Sequence, residues 1–64
     1  MKRRDLERHL RHHGCGVLRE GSRHTVYVNE AAGRVAAVPR HAEIKTPTVR
    51  EICKALEIPL PEGR

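Results

Sequence analysis

Apolar residues recur at helical spacing near both ends of the chain. Leu6 and Leu10 are four residues apart and share a face, which predicts a first helix over Asp5–His13. A second apolar stripe has the helical spacing i, i+3, i+4 and i+7, and it consists of Val49, Ile52, Cys53 and Leu56. It predicts a second helix, which ends at Pro59. We expect Thr46 to be the N-cap of this second helix.

Residues with high strand propensity predict three strands between the two helices. Turn residues separate these strands, and the connections are too short for parallel crossovers, so the sheet should be antiparallel. Each helix has a single apolar stripe, so the two can cover one face of the sheet and leave the other open. The sequence therefore predicts an α+β fold in the order helix, three-stranded antiparallel sheet, helix, with both helices on one face. The predicted strands are Cys15–Arg19, His24–Asn29 and Arg34–Val38.

The strand over His24–Asn29 decides where its histidine points. Tyr27 is the only aromatic residue of the chain, so it should pack toward the helices together with Thr25. Successive side chains of a strand point to opposite faces, and an odd number of positions separates His24 from Tyr27. We therefore expect His24 on the open face with the two valines of the strand. This prediction requires that no bulge interrupts the register near Ser22.

The chain is small and strongly basic. Its 64 residues include 13 lysines and arginines against 8 acidic residues, which gives a formal net charge of +5. A chain of this length buries only about 60% of its unfolded surface, so it forms one domain and encloses no large cavity. We expect that domain over residues 1–58, with a flexible tail at 59–64. Positive charge attracts polyanions, so the composition predicts an open site for a polymeric, negatively charged substrate.

The sequence lacks the features that are typical of several classes of protein and site. No apolar run is long enough to cross a bilayer, so we expect a cytoplasmic protein without a membrane partner. Cys15 and Cys53 have no C-x-x-C spacing and are expected to be reduced core side chains. His9, His13 and Cys15 do not complete a four-ligand set, so no metal site is predicted. A Gly-rich phosphate loop and a Ser–His–Asp set are also missing.

The turn Gly21-Ser22-Arg23 brings His24 to the start of its strand, between basic residues on both sides. A solvated histidine among cations suits acid–base chemistry on RNA, whose own 2′-hydroxyl is the nucleophile. His24 could accept the hydroxyl proton or protonate the leaving 5′-oxygen, with no metal or cofactor required. His41, just after the third strand, is a candidate second acid–base group or phosphate contact. The other candidate phosphate contacts are Arg23, Arg40 and Lys45.

In the order and spacing of these features, the sequence resembles the HicA family. Members of this family are the mRNA interferase toxins of HicA–HicB toxin–antitoxin pairs. The resemblance covers about residues 3–58. It rests on a short basic helix ended by Gly14 and on three further segments. The first is Gly21-Ser22-Arg23-His24-Thr25-Val26-Tyr27. The second is Gly33-Arg34 followed by Val38-Pro39-Arg40-His41. The third is Glu43-Ile44-Lys45, followed by the helix start Thr46-Pro47 and by Val49–Leu56.

The resemblance implies a fold similar to the double-stranded-RNA-binding domain and a toxin that cleaves mRNA without metal. It implies that His24 is the one catalytic histidine, that a HicB-like antitoxin covers it, and that oligomers form only through the antitoxin. From the residues alone, a non-catalytic RNA-binding module on the same basic surface stays open. So does a protein-interaction domain whose open sheet face binds an acidic partner. With one aromatic residue, base stacking is disfavoured, and RNA would be recognised through its phosphates.

Overall fold

Two helices and a three-stranded sheet follow one another in the predicted order in a computed structural model, which describes residues 1–61. The first helix ends where Gly14 adopts a φ of +85°, a left-handed conformation that glycine adopts without a steric penalty. There the Cys15 N–H donates to the Leu10 carbonyl at 2.9 Å and turns the chain into the sheet. The elements are α1 (Arg3–His12), β1 (Gly16–Glu20), β2 (His24–Asn29), β3 (Arg34–Pro39) and α2 (Thr46–Leu56).

The sheet is antiparallel with the order β1-β2-β3, so the strand that begins with His24 is the central one. The register between β2 and β3 is continuous and places His24 opposite Pro39. Between β1 and β2 the register shifts at Leu18, which lies between two paired residues of β1 and forms a bulge. The irregularity is therefore in the edge strand, and β2 keeps an unbroken alternation.

Both helices pack on the same face of the sheet, which confirms the predicted α+β arrangement. Along β2 the buried residues Thr25, Tyr27 and Asn29 alternate with exposed or half-buried ones. Tyr27 is only 1% exposed and lies in a core that draws its other members from both helices, from β3 and from the connecting segments. Those members are Leu6, Leu10, Cys15, Val38, Ile44, Val49, Ile52, Cys53 and Leu56.

The opposite face of the sheet stays uncovered by the helices. Val26 and Val28 are half-buried there, and their partners on β3, Ala37 and Val35, are exposed. The alternation predicted from Tyr27 is thus confirmed, since exposed His24 shares the face of these valines. Neither helix in residues 1–61 is long and apolar enough to span a bilayer.

The beginning of α2 differs from the prediction by one residue. Lys45 occupies the N-cap, Thr46 is already helical, and no side chain makes a capping hydrogen bond. The reason is that the Lys45 carbonyl accepts the first helical bond, from the Val49 N–H at 3.0 Å. The prediction that Thr46 caps the helix was wrong.

The predicted tail is described only as far as residue 61. Residues 59–61 have no regular secondary structure, and the Pro59 carbonyl lies 2.7 Å from the His9 ring nitrogen Nε2. The remainder of that prediction concerns residues 62–64, which lie outside the described residues.

Candidate functional site

The turn between β1 and β2 fixes His24 as the first residue of the central strand. The Gly21 N–H donates to the His24 carbonyl at 2.8 Å and closes the turn. A Cβ at position 21 would lie 3.2 Å from that carbonyl oxygen, so the close approach favours glycine. The backbone of His24 is therefore held by the turn and by pairing with β3, while its side chain is exposed.

The segment that follows β3 lies alongside this turn. His24 pairs with Pro39, and in the next step of the ladder the Arg40 N–H donates to the Arg23 carbonyl at 3.1 Å. Two stretches separated by more than a dozen residues in sequence are thus joined at one end of the sheet. Pro39 lacks an N–H and ends the regular pairing, which directs the following residues around the end of the sheet.

These two stretches line a surface depression of about 500 Å³. Its lining includes two histidines and two arginines, and most of the lining residues are exposed to solvent. The volume is within the range of small-molecule binding pockets, but the depression opens at the protein surface. The lining residues are Ser22, Arg23, His24, Pro39, Arg40 and His41.

The Arg40 side chain is held by two neighbours from the paired strands. Its Nη1 donates to the hydroxyl of buried Thr25 at 3.3 Å and lies 3.6 Å from the carboxylate oxygen Oε1 of Glu20. Glu20 and Thr25 are cross-strand partners, so the sheet register itself positions both contacts. The Arg40 side chain is therefore held at the end of the sheet where His24 also lies, and both residues line the depression.

Four of the five candidate residues from the sequence meet in this depression: Arg23, His24, Arg40 and His41. Lys45 does not line it, because it lies at the N-terminus of α2. Sequence reasoning missed the role of Thr25 and Glu20 in holding Arg40. The signal that could have revealed it is their cross-strand pairing, but the bulge at Leu18 hides that register in the sequence.

The other ionisable clusters lie outside the depression. On α1, the His13 ring is in edge contact with the rings of His9 and His12, with centroids 4.6 and 5.4 Å away. Within residues 1–61, no three His, Cys, Asp or Glu side chains converge as metal ligands. Cys15 and Cys53 are unpaired and buried, and burial raises the pKa of both thiols.

The geometry of the depression suits proton transfer beside an anion. Guanidinium groups carry a permanent positive charge and match the oxygens of a phosphate group. Imidazoles exchange protons in the range from about pH 5 to 8. A phosphodiester lying in this depression would meet both kinds of group at once.

A family model described as the HicA toxin of bacterial toxin-antitoxin matches residues 3–58, which is most of the chain. The chain belongs to the HicA toxin family. It is therefore the toxin component of a toxin–antitoxin system, and membership in the HicA family implies an antitoxin protein as its partner. No curated protein and no solved structure matches the chain.

Proposed function

We propose that this HicA toxin is a metal-independent endoribonuclease that cleaves mRNA with His24 as its catalytic histidine. The observation that supports the proposal is the convergence of exposed His24 with Arg23 and Arg40 in one open depression. A metal-free cleavage needs proton transfer at the 2′-hydroxyl and the 5′-oxygen, and cations at the phosphate. The lining of the depression supplies both kinds of group.

In this proposal the RNA strand lies across the end of the sheet. Arg23 and Arg40 contact the scissile phosphate, whose extra negative charge in the transition state they stabilise. His24 moves a proton to or from the reacting oxygens. His41 contacts RNA from the opposite wall, and Lys45, outside the depression, contacts a neighbouring phosphate of the strand.

An open site fits both a polymeric substrate and control by a protein. A small core cannot close over a substrate, so the RNA can enter from the side at any internal position. The same openness lets a HicB-like antitoxin cover His24, and we propose that oligomers form only through that antitoxin. The protein then acts in the cytoplasm, where mRNA and antitoxin are both present.

The direct test is cleavage of a labelled RNA by the wild-type protein and by His24→Ala, in buffer with EDTA. Removing the acid–base group should lower the cleavage rate by about 10²–10⁴-fold, while the exposed position leaves folding unchanged. His12→Ala is the matched control because it removes an exposed imidazole of α1 that does not line the depression.

Three results would contradict the proposal. Full activity of His24→Ala would exclude His24 as the catalytic residue. Loss of wild-type cleavage in EDTA, restored by a divalent metal, would exclude a metal-independent reaction. RNA that is bound but stays intact would instead indicate the non-catalytic RNA-binding module.

A further inference from the structure

His41 is anchored on both sides in the chain. Before it, the Arg40 N–H donates to the Arg23 carbonyl at 3.1 Å, which joins this segment to the His24 turn. After it, the Ala42 carbonyl accepts a bond from the Arg3 N–H at 2.9 Å, which joins the segment to the start of α1. The backbone of His41 is thus fixed between two hydrogen bonds, although the residue is exposed and lies outside regular secondary structure.

Among residues 1–61, His24 and His41 are the only residues lining the depression whose type of side chain usually exchanges protons near neutral pH. The lining contains one serine hydroxyl, one proline ring and two guanidinium groups, and guanidinium is not deprotonated in proteins. Glu20 is close in sequence but does not line the depression, and its carboxylate faces Arg40. Within residues 1–61, neither imidazole takes part in a hydrogen bond or ion pair that would occupy its nitrogens.

We infer that His41 is the second acid–base group of this site, so that cleavage proceeds by a two-histidine mechanism. The inference rests on the proposed ribonuclease function. One imidazole accepts the 2′-hydroxyl proton as the 2′-oxygen attacks phosphorus and forms the new P–O bond. The bond from phosphorus to the 5′-oxygen breaks, its electron pair stays on that oxygen, and the other imidazole donates the proton. The products are a 2′,3′-cyclic phosphate and a free 5′-hydroxyl, and no water or metal enters this step.

A role of His41 in proton transfer can be told from a phosphate contact by the separate effects of its substitution on kcat and KM. His41→Gln keeps a hydrogen-bonding side chain but cannot exchange a proton, so it should lower kcat by about 10²–10⁴-fold with little change in KM. His41→Arg keeps positive charge and should lose kcat equally. His12→Gln, the same substitution on an exposed histidine outside the depression, should behave as wild type.

The dependence of the cleavage rate on pH separates proton transfer from a purely structural role, because a structural role would leave the shape of this profile unchanged. Cleavage by the wild-type protein should rise and then fall with pH, since one imidazole must be neutral while the other is protonated. His41→Gln and His24→Ala should each lose one limb of this profile, and the two variants should lose different limbs.

A modified substrate separates the two roles. An RNA with sulfur in place of the bridging 5′-oxygen has a leaving group that needs no proton. On this substrate, the variant lacking the general acid should recover cleavage, while the variant lacking the general base should stay inactive. We expect only one of the two histidine variants to recover.

The results that overturn the inference differ from those that overturn the ribonuclease function. If His24→Ala is inactive but His41→Arg cleaves at the wild-type kcat, His41 is a phosphate contact only and the two-histidine mechanism is wrong. The same conclusion follows if His41→Gln raises KM and keeps both limbs of the pH profile. If the wild-type protein cleaves no RNA at all, both proposals fail together.

Discussion

At the scale of single residues, Arg40 shows how the sheet register positions a cation at one end of the sheet. Its guanidinium is held by the Thr25 hydroxyl and lies near the Glu20 carboxylate, yet more than a third of the side chain is exposed. Exposed ion pairs contribute little to folding, about 0–1 kcal/mol. The Arg40 contacts are therefore better explained by orientation of a positive charge than by stability of the fold.

Arg40→Gln should weaken RNA binding and leave the fold intact. Loss of one phosphate contact should lower the slope of binding against salt concentration by about 1, on a logarithmic scale. The free energy of unfolding should change by less than about 1 kcal/mol. Fluorescence anisotropy with labelled RNA between low and high salt measures the slope, and urea titration measures the stability.

Arg34→Gln is the matched control for this substitution. Arg34 is an exposed arginine at the other end of β3 and is paired with Glu57 at 2.9 Å. It should change the salt slope less than Arg40→Gln does. Equal effects of the two variants would show that net charge, rather than the position of Arg40, governs binding.

At the scale of elements, the turn between α1 and β1 depends on one glycine. Gly14 has a φ of +85°, but a Cβ there would meet no atom within 4 Å. A substitution is therefore strained only through the backbone, and Gly14→Ala should destabilise the fold by about 1–2 kcal/mol. Urea or thermal unfolding followed by circular dichroism measures the difference.

Gly16→Ala makes the same chemical change two residues later. Gly16 has no left-handed φ, and a Cβ there would also meet open space. This variant should be as stable as the wild type or slightly more so. If both alanine variants lost equal stability, the cause would be burial or packing and not the conformation of Gly14.

Features that are determined within one strand could be predicted from the sequence, whereas features that depend on the alignment of separate strands could not. The side-chain period of β2 and the single aromatic residue were enough to predict the face of His24, because both lie within one strand. The bulge at Leu18 and the hydrogen bond between Arg40 and Thr25 could not be read in the sequence. Both depend on how separate strands align, and strand pairing has only a weak local signature.

The helix start shows the same limit at shorter range. Thr46 has the side chain of a good N-cap, but the N-cap lies one residue earlier, at Lys45, and the helix begins at Thr46. The connecting segment is already fixed before this point, since the Ile44 N–H donates to the Met1 carbonyl at 2.7 Å. A capping preference is worth about 1 kcal/mol and is local to the helix start, whereas this contact joins distant parts of the chain and cannot be read from the local sequence.

At the scale of the whole molecule, the ionisable groups of the core set how stability depends on pH. Burial raises the pKa of the Cys15 and Cys53 thiols above their usual 9.0, and that of the Tyr27 hydroxyl above 10.0. The folded protein therefore holds these protons more tightly than the unfolded chain does. This contribution to stability is complete below pH 9 and is lost as the pH rises further.

The urea midpoint of unfolding should accordingly fall as the pH is raised above about 9. Replacing both cysteines with alanine should move the onset toward the higher pH at which Tyr27 ionises. A reducing agent keeps both thiols free during the titration. A midpoint that stays constant to pH 11 in the wild type would show that these groups have the same pKa in the folded protein as in the unfolded chain.

The position of Tyr27 has a practical consequence for all of these experiments. The chain has one tyrosine and no tryptophan or phenylalanine, so its aromatic near-ultraviolet circular dichroism comes from a single ring in the core. That ring belongs to the same strand as His24 but points to the opposite face. An unchanged near-ultraviolet circular dichroism signal from this ring therefore reports that a variant at the site has kept the strand packed in the core. The signal of Tyr27 therefore distinguishes a loss of activity from a loss of folding without any added label.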